Sequence, residues 1–178
     1  MQKQLVTAEL IVPGERVGTV SLGTNAEELE KILGKPDSSD AAMGKAWVTW
    51  NGKRDEHNNA TKLNIYTTYN DRSMQQKTVQ QIRTTSAFFS TNSGLRVYSS
   101  LDTIRKEFPH IKKLAHYPDE GRDIVIYDEK QKGIAFEIAA AGPQQICTGI
   151  IIHEKGNAVT DVYMFLHPGL KLYKQNEL

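Results

Sequence analysis

Hydrophobic and polar positions along the chain spell one pattern twice, about 75 positions apart. The first copy runs from Val20 to Gly34, the second from Leu95 to Pro109. Each begins with two alternating apolar residues (Val20 and Leu22; Leu95 and Val97). A small polar residue follows, then a helical stretch with apolar residues three and four apart, then Gly or Pro. Thr24 or Asn25 serves as the first N-cap, and Glu27 and Glu28 sit in the first turn, where carboxylates favour the positive end of the helix dipole. Leu29, Ile32 and Leu33 form one apolar face, and Gly34-Lys35-Pro36 ends the helix. In the second copy Ser99 or Ser100 caps a helix with Leu101, Ile104 and Phe108 on one face, stopped by Pro109. An internal repeat of this kind specifies architecture before any single residue does.

Three strand candidates follow each helix. After the first they are residues 46–50, 63–69 and 79–85, parted by turn formers at Asn51-Gly52 and Asn70-Asp71. After the second they are residues 124–127, 134–138 and 148–153, and residues 159–166 read as an additional strand. Residues 4–12 are β-prone and turn at Pro13-Gly14, and residues 17–22 form a short extended entry. The fold class predicted is α+β: two tandem helix-plus-three-strand repeats forming one antiparallel sheet, with both helices packed on one face. Residues 1–92 hold the N-terminal extension and first repeat, and residues 93–178 the second repeat and a C-terminal strand, the two sharing one continuous sheet. Alternation along the strands places Ile65, Ile82, Ile126, Phe136 and Ile150 under the helices. Tyr66, Arg83, Tyr127 and Glu137 then face the other way, joined by Trp47 or Trp50 according to register.

Composition narrows the function more than it names it. Lys plus Arg total 22 against 21 for Asp plus Glu, so there is no charge excess to attract nucleic acid, and no apolar run approaches the roughly 20 residues of a membrane-spanning helix. The single cysteine, Cys147, excludes an internal disulfide and lies in an apolar stretch, where it reads as a small core residue.

Residues 17–37 (Val-Gly-Thr-Val-Ser-Leu-Gly-Thr-Asn-Ala-Glu-Glu-Leu-Glu-Lys-Ile-Leu-Gly-Lys-Pro-Asp), with Trp47-Val48-Thr49-Trp50, resemble the opening of repeats in bacterial envelope proteins. The resemblance is to the SmpA/OmlA (BamE)-like and β-lactamase inhibitor protein-like superfamily. Tyr98-Ser99 stands where the first copy has Gly23-Thr24, and the chain lacks both the inhibitor's disulfides and a lipobox cysteine. The resemblance implies a fold like the inhibitor's. It also implies a cell-envelope or secreted setting with a signal segment removed, the cytoplasm being the alternative.

No chemistry-bearing spacing accompanies this. His57, His110, His116, His153 and His167 form no metal-binding pattern. Asp119, Glu120 and Asp123 crowd a loop without the rest of a calcium site, and no nucleophile elbow or phosphate loop occurs. The function expected is therefore a non-catalytic protein-binding module with no cofactor or metal. Its partner is another envelope protein, met through the open sheet face by Trp47, Tyr66, Arg83, Tyr127 and Glu137. Two alternatives stand beside it: a small-ligand binder or enzyme with a pocket at the repeat junction, using His153, Glu137 or Asp123, and a β-lactamase inhibitor-like protein.

Overall fold

The computed structural model describes residues 8–69 and 74–174; the turn expected at Asn70-Asp71 lies outside them. Among the described residues the chain is mostly β, in sheets of four and nine strands, and this overturns the expected α+β class. Helix α1 (Leu29–Leu33) has five residues and α2 (Leu101–Glu107) seven. Helices this short do not make a covering layer. The regular part of that layer is instead the four-stranded sheet, built from β1 (Leu10–Val12), β2 (Arg16–Val17), β3 (Val20–Ser21) and β8 (Ser90–Thr91).

Each copy of the repeat continues into four strands rather than three. The first gives β4 (Ser38–Ala42), β5 (Lys45–Asn51), β6 (Lys62–Tyr69) and β7 (Lys77–Thr84). The second gives β9 (Lys112–Asp119), β10 (Arg122–Glu129), β11 (Ile134–Ala141) and β12 (Gln144–His153). These are antiparallel meanders, and they join where β12 pairs with β7, Ile152 opposite Ile82. With β13 (Lys171–Leu172) on the edge beside β9, the large sheet reads β13-β9-β10-β11-β12-β7-β6-β5-β4.

The repeat is visible in individual hydrogen bonds. Gly23 N–H donates to the Val79 carbonyl and Val79 N–H to that of Thr24; Tyr98 N–H donates to the Cys147 carbonyl and Cys147 N–H to that of Ser99. The caps correspond as well. The Asn25 side chain accepts from Glu27 N–H at a 3₁₀ turn (Ala26–Glu28) leading into α1, and the Ser100 side chain accepts from Thr103 N–H at α2. Trp50 Nε1 donates to the Gly34 carbonyl at 2.9 Å, fastening the end of α1 to β5.

The main core lies between the two sheets. Ile11, Val17 and Val20 of the small sheet, with Leu29, Leu101, Ile104 and Phe108 of the helices, pack on Ile65, Ile82, Phe136, Ile150 and Ile152. Tyr127 belongs to this layer too, and Ile126 does not. A register shift between Ile126 and Tyr127 accompanies this, and Tyr127 stands opposite Phe136 with Arg105 of α2 over its ring. The residues expected on those two faces are therefore exchanged.

The expected strand at residues 159–166 is absent. Residues 154–170 contain no strand and cross the outer face of the large sheet as an irregular strap, ending where Lys171 pairs with His116. A second core of Ala115, Tyr117, Ile124, Ile126, Ala135, Ala139 and Ile151 lies there, closed by Val159 and Leu170.

Candidate functional site

The outer face is not open. Trp47, Tyr66, Arg83, Tyr127 and Glu137 are between 0% and 8% exposed. This corrects the expectation that they form a solvent-facing surface, and the cover comes from elements distant in sequence. Tyr127 is under α2 on the opposite face. The other four lie on the face crossed by the strap.

At its centre is a charged pair. Arg83 on β7 donates through Nε to both Glu137 oxygens (3.0 and 2.9 Å) and through Nη2 to Oε2 (2.7 Å). Arg83 Nη1 donates to Asn64 Oδ1 at 2.8 Å, and His167 of the strap reaches Glu137 Oε1 at 3.3 Å. Gly149 stands opposite Glu137 on β12, and a Cβ there would collide with Glu137 Oε2. Glycine thus leaves the groove in which the carboxylate crosses to β7. Burial by itself pushes the Glu137 carboxyl up, but the Arg83 charge and the hydrogen bonds from His167 and Arg83 hold it down at about 2. Burial and the Glu137 charge push the Tyr117 phenol up against the pull of Arg83, and the Tyr117 ring stacks on His167 with centroids 3.6 Å apart.

The strap is gripped largely by its main chain. Gln81 Nε2 donates to the Val159 carbonyl at 2.7 Å and Trp47 Nε1 to the Met164 carbonyl at 2.8 Å. Val159 N–H donates to Asp128 Oδ2 at 3.0 Å, while Asp128 Oδ1 meets His153 Nε2 at 2.8 Å. Of the strap residues 159–170 only Val159 is fully buried; Tyr163 is 81% exposed. Between strap and sheet remains a cavity of about 30 Å³, bordered by Trp47, Gln81, Arg83, Glu137, Val162 and Phe165, which is room for about two waters. Beside the Trp47 ring (5.1 Å) lies Tyr66, whose buried hydroxyl is near the Tyr163 backbone and the Thr68 side chain.

The three polar groups expected to line a catalytic or ligand pocket do not converge. Glu137 is bound to Arg83, His153 to Asp128, and Asp123 to His116 at 2.9 Å. Gln81, Asp128 and the strap itself escaped the sequence reading. Strand alternation put Gln81 and Arg83 on one face, which was the available signal for Gln81. Among the described residues no group of three or more His, Cys, Asp or Glu is placed to hold a metal ion, and no helix is long and apolar enough to cross a membrane.

No family model matches the chain, and no curated protein does. Two solved structures overlap it in part. One is a DUF4309 family protein (YjgB) from Bacillus subtilis, at 11% identity over 80% of this chain and 88% of that one, with a TM-score of 0.46. The other is the protein yfeY from Escherichia coli, at 12% identity over 80% of this chain and 99% of that one, with a TM-score of 0.43. At that level of overlap neither bears on function.

Proposed function

We propose that this chain is a non-catalytic protein-binding module whose recognition surface is the outer face of the large sheet. An extended segment of a partner protein is the ligand, and the chain's own strap occupies its place in the absence of that partner. The observation that carries this reading is the manner of the grip. Gln81, Trp47 and Asp128 hold the strap through the Val159 N–H and the Val159 and Met164 carbonyls, groups that every extended peptide offers. The repeat resemblance makes the bacterial envelope the proposed setting.

The test keeps all of the chain. A protease site replaces the exposed loop around Lys155-Gly156-Asn157, the chain is nicked there, and a fluorescent peptide of residues 157–174 is added. The expected result is exchange into nicked but not intact protein, read by anisotropy and weakened by Trp47→Phe. Retention of the cut strap with no exchange at any peptide concentration would overturn the proposal, as would strap loss that leaves a face unable to take the peptide.

A further inference from the structure

At the other end of the sheet from the Met43-Gly44 hairpin, a loop of the first copy and the segment that leads into the second border an open cleft of about 490 Å³. This is within the range of small-ligand sites, roughly 300–1,000 Å³. One wall is the β5–β6 loop, residues 52–61; the other is formed by Ser86, Ala87, Phe88, Arg96 and Tyr98.

Charges in this cleft are unequally committed. Asp55 accepts from the Tyr98 hydroxyl and from the N–H groups of His57 and Asn59, so its oxygens are taken up within the loop. Glu56 lies 3.7 Å from His57 Nε2, and Arg54 Nη1 donates to the Asn58 carbonyl at 2.6 Å. Lys53 and Arg96 line the same cleft, and neither side chain has an ion-pair or hydrogen-bond partner among the described residues. Phe88 lines the cleft as well; its ring meets that of Phe89 edge-on at 5.2 Å and is 58% exposed, a large apolar surface that the fold leaves in water. The wall is held at a conformational cost. Tyr98 has φ of +79°, the left-handed region that disfavours a side chain, and strain of this kind collects at binding sites. Its hydroxyl also accepts from Asn59 Nδ2 at 2.7 Å, and the His57 ring meets its ring edge-on at 4.7 Å.

We infer that this cleft binds a small planar anion, an aromatic ring bearing a carboxylate or phosphate, with the acid group at Lys53 and Arg96 and the ring against Phe88. Two unpaired cations supply charge-assisted donors, and Phe88 supplies a face for stacking. The inference is independent of the sheet-face proposal, because no residue is shared between the two surfaces.

The test is an amide-shift titration of the full chain with phenyl phosphate and benzoate, beside benzamidine, a planar cation, and inorganic phosphate. The expected result is a set of saturable shifts on residues 52–56, 86–88 and 96–98 for the two aromatic anions and none for benzamidine. The double variant Lys53→Gln/Arg96→Gln, exposed at both positions and so expected to melt like the parent, loses about tenfold or more in affinity. Absence of shifts at the cleft, equal binding of benzamidine, or undiminished binding by the double variant overturns the proposal. Inorganic phosphate binding as tightly as phenyl phosphate overturns the role given to Phe88.

Discussion

Replacing Arg83 by Met tests what the covered charges do for the fold. The guanidinium makes three contacts of 2.7–3.0 Å with Glu137 and one of 2.8 Å with Asn64. Met fills most of the volume but leaves a fully buried carboxylate with His167 alone, at 3.3 Å. Removing one partner of a buried pair costs about 3–5 kcal/mol, most of it the penalty for the uncompensated charge. The double variant Arg83→Met/Glu137→Leu removes that charge as well, so it should recover most of the loss, short by about 1–2 kcal/mol for Asn64 and His167. Urea denaturation at neutral pH measures both, the midpoint moving with little change in slope. The pH dependence supplies a second arm. Glu137 is held at about 2 in the native state against an ordinary value of 4.5, so its folded pKa is depressed. Its stabilisation is full above pH 4.5 and is lost as pH falls towards 2, about 3 kcal/mol in all. In Arg83→Met the carboxyl takes up its proton more readily, so the gap between parent and variant should narrow over that same window. A single-variant loss below about 1 kcal/mol, or a gap unchanged near pH 2, would refute the reasoning.

The remaining predictions concern the glycine beside that pair, the strained tyrosine and the cysteine. Gly149→Ala drives a methyl into Glu137 Oε2, whose position the Arg83 fork fixes; calorimetry should record a loss of about 1–3 kcal/mol. Tyr98→Phe keeps the strained backbone and loses both hydroxyl contacts, so it should destabilise by about 1 kcal/mol and speed amide exchange in residues 53–59. Tyr98→Gly relieves the φ of +79° and should free the same loop with a smaller loss of global stability than the Phe variant; a larger one would remove the strain argument. Cys147 is wholly buried and burial pushes its thiol up. Its reaction with a disulfide reagent should therefore run at the rate of unfolding, and fast labelling of the native chain would contradict the packing.

Local signals were the legible part of the fold. Asn25, Gly34 and Ser100 act at the helix ends where the residue types place them, because capping is decided within a few residues. Strand β4 was illegible because Ser-Ser-Asp-Ala-Ala, exposed throughout, has no apolar alternation to read. Residues 159–166 misled for the opposite reason: their apolar spacing resembles a strand, yet their main chain bonds to side chains of the sheet instead of a neighbouring strand. The phase of β10 failed at a bulge, which moves Tyr127 across the sheet and which no periodicity anticipates. The alternation that grouped Tyr66, Arg83 and Glu137 on one face was sound. Whether that face meets water depends on a strap as far as 117 residues away in sequence, beyond any local pattern.

The places where the two copies differ carry more information than those where they agree. Matching backbone bonds at Gly23 and Tyr98 put both residues near a φ of +80°, and an added Cβ at Gly23 meets nothing within 4 Å. Space therefore does not explain the difference. The first copy accepts glycine and an unstrained turn, while the second tolerates strain to place a tyrosine. What that tyrosine touches is the ten-residue β5–β6 loop, residues 52–61, whose counterpart between β10 and β11, residues 130–133, has four. Two departures from the repeat thus meet in one contact, and that contact forms a wall of the junction cleft. The strap is the third departure, following the last strand of the second copy and lying across the junction. The strap closes the second core through Val159 and Leu170, whereas the contact between Tyr98 and the long loop belongs to neither core, so of the three departures it is the one that packing alone does not account for.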